Sequence, residues 1–280
     1  VPNARPPPCY LFDNGSLRAA STLSLRRIAT WLQARLPAAE VRPASLLHSS
    51  AVDPAELGGR PAELLLPALE AALVRGESDF VLLPLFFGPS AALTIYLPER
   101  LQALRKKFPA LQARVARGLV DTRAPGDRRI ARILADGVRR AVVAAGWRRP
   151  RVVLADHGSP EPGVTAVRDF LGGQLRVLLE DEVAAVAVAS MELRPGPEYA
   201  FGAPLLADLL RSEVFGPGEV VVALQFLSPG RHAGPNGDVV EICAAAERFR
   251  RGLRIRLTGL VGEDERLADL LADRYREAAG

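Results

Sequence analysis

Three positions in this chain carry side chains suited to chemistry: His157 in Asp156-His-Gly-Ser-Pro160, Glu192 in Met191-Glu-Leu-Arg194, and His232 in Ser228-Pro-Gly-Arg-His-Ala-Gly-Pro-Asn-Gly-Asp238. Two imidazoles and a carboxylate around an open cavity are donors for a divalent transition metal such as cobalt or iron. They also accept protons near neutral pH, where histidine titrates and a carboxylate neighbour tunes it. A set with free coordination positions delivers an ion instead of storing it. Gly158, Gly230, Gly234 and Gly237 permit tight turns and a close approach of backbone to something flat or bulky. Each piece alone reads as a turn or a solvated loop acid. Their coincidence carries the functional reading, because the chain has 3 histidines in all and 2 of them fall here.

Positioning such a trio requires three strand ends side by side. The second half alternates strand and helix, the pattern of a parallel sheet covered on both faces. Strands are expected near Arg151–Ala155, Val183–Ser190, Glu219–Phe226 and Leu253–Gly259, and helices over Pro162–Leu179, Ala203–Arg211, Asp238–Arg250 and Asp264–Ala278. Pro162 suits a first helical turn and Asp238 an N-cap. In an open parallel sheet, ligands bind beyond the carboxyl ends of the strands, where strand order reverses. With strand order 2-1-3-4, the first three strands are neighbours about 4.8 Å apart, and their end loops share a cleft roughly 10 Å wide.

The first half repeats this plan. Cys9-Tyr-Leu-Phe-Asp-Asn-Gly-Ser-Leu17 answers Val152-Val-Leu-Ala-Asp-His-Gly-Ser-Pro160, and Phe80–Ala92 answers Val220–His232 without a gap. Gly118-Leu-Val120 answers Gly259-Leu-Val261, and Ile133–Ala141 answers Leu270–Ala278, all in order at an offset of about 140 residues. The expectation is an α/β protein of two tandem flavodoxin-like lobes, each a parallel sheet of about four strands with helices on both faces, divided into residues 1–147 and 148–280. Asn14 stands over His157 and Ala92 over His232, so the first lobe is a degenerate copy. His48, in Leu46-Leu-His-Ser-Ser50, falls over Met191 at the offset of the opening pair and is read as structural.

The 280 residues, 49% hydrophobic, can bury a substantial core. Cys9 and Cys243 lie in different halves and read as buried small hydrophobes, not a disulfide or zinc site. The net charge of +4 is carried by arginines beside acids, and with no aromatic-interleaved basic motif nucleic acid is not expected as a partner. No run of eighteen or more apolar residues appears, and the opening Val-Pro-Asn-Ala-Arg-Pro-Pro-Pro lacks the features of a secretory signal. A cytoplasmic protein without membrane partners is therefore expected, as a monomer or homodimer.

Asp156-His-Gly-Ser, Ala189-Ser-Met-Glu-Leu-Arg-Pro-Gly196 and Phe226–Asp238 strongly resemble the sirohydrochlorin chelatases, the class II chelatases of cobalamin and siroheme synthesis. The resemblance implies a lyase that inserts cobalt or ferrous iron into a tetrapyrrole without ATP, the metal being substrate and no cofactor permanently bound. It implies that His157 and His232 are paired active-site histidines and that Glu192 is a metal-associated acid, the three together forming the metal and catalytic set. Sirohydrochlorin, bearing eight carboxylates by the same resemblance, would meet Arg231, Arg194, Ser159 and Gly230; arginines suit paired hydrogen bonds to carboxylates. A carrier that binds tetrapyrrole or metal without turnover is the alternative. A hydrolase using Ser159, His157 and Asp156 has less support, because adjacent residues on a turn rarely point together and no oxyanion or phosphate loop is visible.

Overall fold

The computed structural model describes residues 6–280; Val1 to Arg5, which open the segment read against a secretory signal, lie outside the described residues. The first sheet contains β1 (Cys9–Asp13), β2 (Val41–Ser45), β3 (Asp79–Pro84) and β4 (Gln112–Val115), all parallel in the order β2-β1-β3-β4. With it in sequence go α1 (Ala19–Arg35), α2 (Leu65–Val74) and α3 (Leu97–Lys107). Next come α4 (Arg129–Ala145) and the second sheet, β5 (Arg151–Asp156), β6 (Ala185–Ser190), β7 (Gly218–Leu224) and β8 (Leu253–Leu257), again parallel in the order β6-β5-β7-β8. Its helices in sequence are α5 (Pro162–Leu178), α6 (Leu206–Arg211), α7 (Asp238–Phe249) and, after the last strand, α8 (Leu267–Ala279).

Both sheets thus have the expected order, and the central strands β1 and β5 are buried on both faces, as apolar runs in a doubly covered parallel sheet must be. Alternate residues serve alternate layers. Tyr10 and Phe12 pack with Leu65, Leu69 and Leu97 on one side of the first sheet. Val153 and Ala155 pack with Leu206, Leu210 and Val239 on one side of the second.

The helices do not respect the expected division after residue 147. One compact unit runs to Leu119 and resumes at Glu265–Gly280; the other is Val120–Asp264. The last helix of each half therefore completes the cover of the sheet built by the other half. α4 turns Ile130, Ile133, Leu134 and Val138 inward and packs on α5, β7 and β8. Gly137 lets it approach Thr258, and left-handed Gly146 ends it. α8 packs on α1, β3 and β4 through Leu267, Leu270 and Leu271. Arg35 holds its start by ion pairs to Glu265 at 2.6 Å and Asp269 at 3.0 Å, and Tyr275 donates to the Pro7 carbonyl at 2.6 Å. Nothing in an amphipathic stripe names the sheet it will cover, so the sequence repeat concealed the exchange.

Several element ends differ from expectation for local reasons. α6 begins at Leu206 instead of Ala203, because Ser190 N–H donates to the Pro204 carbonyl and Leu205 bridges to Ser190 in extended conformation. β6 begins at Ala185 instead of Val183, whose N–H still closes the end of α5 on Leu179. β8 stops at Leu257, since the next residue offers its side chain to the ladder: Leu224 N–H donates to Thr258 Oγ1 at 3.0 Å. α8 begins at Leu267 because Val261–Glu263 forms a 3-10 turn, whose Glu263 carboxylate accepts from Leu260 N–H. Cys9 and Cys243 are free and buried, as expected.

The helix exchange has a measurable consequence. Leu134→Ala and Leu271→Ala each remove a core side chain and are expected to cost about 2–5 kcal/mol. Hydrogen exchange should show the Leu134 variant losing protection in β7 and β8 and the Leu271 variant in β3 and β4. The opposite pattern would mean that each helix covers the sheet of its own half.

Candidate active site

The site is built where β5 and β6 end in register, Asp156 opposite Ser190. Beyond them, Met191 N–H donates to the Asp156 carbonyl and Glu192 N–H to the His157 carbonyl, so the two loops leave the sheet together. Gly158 makes this closeness feasible: at φ 92° it takes the left-handed turn, and a Cβ there would stand 2.0 Å from the Glu192 carbonyl oxygen. Gly15 has the same role in the first unit, with φ 88° and the Leu47 carbonyl in the way of any Cβ.

A buried polar chain fixes this corner from below. Asp156 accepts from Ser190 Oγ at 2.8 Å, and Ser190 Oγ accepts in turn from Arg168 of α5 at 2.7 Å. Arg168 is 1% exposed and also donates to the carbonyls of Gly202 at 2.8 Å and Ala203 at 3.3 Å, with Asp169 at 2.8 Å as counter-ion. A guanidinium's five donors in a rigid fork serve such convergent acceptors well. The same residues tie down the segment that leaves Glu192 and returns to α6. Sequence reading missed this chain; its signal was an arginine among the apolar positions of Pro162–Leu179. Burial pushes the Asp156 carboxyl above the ordinary carboxylate range, opposed by the Ser190 hydrogen bond and the charge of Arg168. In the first unit burial lifts Asp13 to about 6, opposed by a hydrogen bond from Ser45.

Above that corner the structure brings the three expected side chains together. The rings of His157 and His232 lie with centroids 4.4 Å apart and planes inclined by 41°. His157 Nε2 is 3.1 Å from Glu192 Oε1, and the side chains of both are open to solvent, at 46% and 61%. Partial desolvation lowers the pKa of His157, the charge of Glu192 raises it and His232 lowers it; the net shift is downward. The shift favours the neutral imidazole. His232 Nδ1 lies 2.6 Å from Asp238 Oδ2. Asp238 was expected as an N-cap; instead α7 begins at Asp238 itself, its cap residue is Gly237, and the carboxylate turns back to the imidazole. Each histidine thus has a carboxylate beside it, and no group of three His, Cys, Asp or Glu side chains among the described residues is arranged as a ready metal cage.

The other expected residues are distributed around this pair. Arg231 is exposed and places Nε 3.8 Å from Asp238 Oδ2. Gly230 N–H donates to the Ala233 carbonyl at 2.7 Å, closing the turn that carries His232. Ser159 Oγ accepts from Glu161 N–H at 3.0 Å at the start of α5. Arg194 is exposed and its guanidinium lies over the Tyr199 ring at 6.0 Å, engaged there and not with the imidazoles. His48 is exposed at φ 65°. The bonds Leu46 N–H to Asp13 and Leu47 N–H to Asn14 mirror those of Met191 and Glu192, so Leu47 stands where Glu192 would be and His48 one residue beyond. That corrects the register assumed for His48.

The CbiX family model matches residues 151–278, nearly the whole of the second half. Among solved structures, SirB from Bacillus subtilis with Fe3+ superposes with a TM-score of 0.70 at 14% identity, over 98% of this chain and 96% of that one. The Bacillus subtilis subspecies spizizenii sirohydrochlorin chelatase SirB in complex with cobalt gives 0.69 at 16% identity, over 98% and 95%. A CbiX described as the terminal enzyme for biosynthesis of siroheme in denitrifying bacteria gives 0.65 at 19%, over 98% and 100%. No curated protein sequence matches the chain. The carboxy-terminal half thus carries the CbiX pattern, and the chain as a whole has the two-lobed chelatase fold. No helix among the described residues is long and apolar enough to cross a membrane.

Two measurements check the buried chemistry. Arg168→Met removes a buried cation and strands its partners, so a loss of about 3–5 kcal/mol in urea unfolding is expected; a change under about 1 kcal/mol would show that the fork is dispensable. Asp13 has its folded pKa raised above the unfolded value, so its stabilising share is complete below the unfolded value and fades as pH rises through about 6. Asp13→Asn should therefore flatten the decline in stability between about pH 4 and that point, read from urea midpoints; an unaltered slope would assign the decline to other groups.

Proposed function

We propose that this chain, whose carboxy-terminal half matches the CbiX family, inserts a divalent metal, cobalt or ferrous iron, into sirohydrochlorin without ATP. The observation that carries the reading is the imidazole pair of His157 and His232, 4.4 Å apart at the carboxyl edge of the second sheet, each with a carboxylate partner. Insertion exchanges two pyrrole N–H protons for one dication. The site must therefore offer lone pairs to a metal and accept protons from a macrocycle at the same place.

In this reading His157 and His232 present the ion to one face of the ring and, as it passes to the ring nitrogens, take up the two leaving protons between them, with Glu192 assisting. Binding the ion would exchange the 3.1 Å His157–Glu192 contact for contacts to the metal, which the exposed Glu192 side chain is free to make. Two imidazoles and one carboxylate leave coordination positions for the ring nitrogens of the substrate. Arg231, beside Asp238, is a candidate for the substrate's carboxylates; Arg194 could add a second contact after leaving Tyr199, and the turns at Ser159 and Gly230 are candidates to border the ring. The donor types suit cobalt and iron alike, so the choice between them rests with supply as much as with the site.

Anaerobic incubation with sirohydrochlorin and cobalt, ferrous iron or nickel, followed by absorbance, tests the proposal. Wild-type protein should convert many equivalents, whereas a carrier would stop at one. His157→Ala and His232→Ala should each reduce the initial rate by at least about a hundredfold with circular dichroism unchanged; wild-type rates in both variants would refute it.

A further inference from the structure

The loop from Pro229 to Asp238 is folded so as to bring its last residue back onto its fourth. Gly230 N–H donates to Ala233, Gly237 N–H to Gly234, and the two ends close on each other through Asp238 N–H to the Arg231 carbonyl and Val239 N–H to the His232 carbonyl. The Asp238 carboxylate is thereby set 2.6 Å from His232 Nδ1. An ionised carboxylate can only accept, so the hydrogen of a neutral His232 ring must sit on Nδ1. Nε2 makes no hydrogen bond to protein among the described residues and keeps its lone pair. Arg231 touches the same carboxylate oxygen at 3.8 Å, beyond a hydrogen bond, so His232 is its principal partner.

We infer that Asp238 is the positioning residue of His232, holding the imidazole in the Nδ1–H tautomer so that Nε2 is the nitrogen offered to a metal ion. Acids are common in a first helical turn for the helix's own sake, and the duplicated chain separates that role from this one. At the offset that sets Ala92 over His232, Pro98 stands over Asp238. The first unit nevertheless makes a helix there, α3, with Glu99 in its first turn. The copy without the imidazole is also without this acid, while the helical acid is kept at another position. An imidazole hydrogen-bonded through its second nitrogen to a carboxylate has a fixed ring orientation and higher basicity, and losing such a partner typically costs ten- to a hundredfold in metal affinity.

The inference rests on the chelatase reading only for the identity of the metal's destination, and its test needs no tetrapyrrole. With 3 histidines in the chain, nitrogen-15 NMR of labelled protein resolves each ring. At a pH above the histidine range, His232 of the wild type should show a protonated Nδ1 and an unprotonated Nε2. Asp238→Ala should give a mixture of tautomers and weaken binding of cobaltous ion alone by roughly ten- to a hundredfold, with the amide spectrum otherwise retained. Asp238→Asn keeps an acceptor oxygen and should restore most of the tautomer and of the affinity. An Nδ1–H tautomer that persists in Asp238→Ala, or a cobalt affinity unchanged there, overturns the inference. Should Asp238→Ala unfold, an Asp238→Asn protein with mixed tautomers would overturn it equally. If the wild type binds cobalt in this tautomer and yet fails to metallate sirohydrochlorin, the chelatase reading falls and the role of Asp238 stands.

Discussion

The whole site depends on the junction at which β5 and β6 finish level with each other. Asp156 and Ser190 are register partners, and the hydrogen bond between their side chains, backed by the buried Arg168, pins the two strand ends at the same height. The candidate site is counted from there: His157 is the next residue on one strand, and Glu192 the second on the other. A one-residue slip between the strands would turn these side chains to opposite faces of the sheet. The cost of burying a cation and a carboxyl under an open site is offset because every donor of Arg168 that points inward finds an acceptor.

Duplication shows which parts of that junction belong to the fold and which to the chemistry. Both units have the aspartate at the end of the first strand, the serine opposite, the left-handed glycine two residues on and the paired backbone bonds between the loops. These are the means of ending two parallel strands together. The first unit carries Asn14, Leu47 and Ala92 where the second carries His157, Glu192 and His232, and none of the three is a comparable base or metal donor. Where the second unit runs through an irregular glycine-rich loop before α7, the first enters α3 through a π-helical turn at Ala92–Tyr96.

Strand order, the approximate positions of the strands and the meeting of the two histidines were legible from residues alone, because apolar runs of strand length, their repetition, and glycine-flanked histidines at their carboxyl ends are all local signals. The helix exchange was not, because Ile133–Ala141 and Leu270–Ala278 are so alike that either could cover either sheet. Asp238 was legible as an acid at a helix start but not as the partner of His232, since that contact is made by backbone bonds within the loop. His48 was misplaced by a register inferred from one offset, because the segment from β1 to the end of β2 is shorter in the first copy than its counterpart from β5 to β6.

The two acids at the site differ in a way that fits different tasks. Glu192 has a long, exposed side chain held to His157 by a single contact of 3.1 Å, so it can let go at little cost. Asp238 is short, anchored at the head of α7, and bound to His232 at 2.6 Å within a loop closed by backbone bonds at both ends. Moving it would break the loop. One imidazole is therefore free to exchange its partner while the other keeps a fixed orientation. Under the proposed chelatase reading, an ion handled by such a pair would meet one adjustable partner and one rigid one, as a site that first holds a metal and then surrenders it to a ring requires.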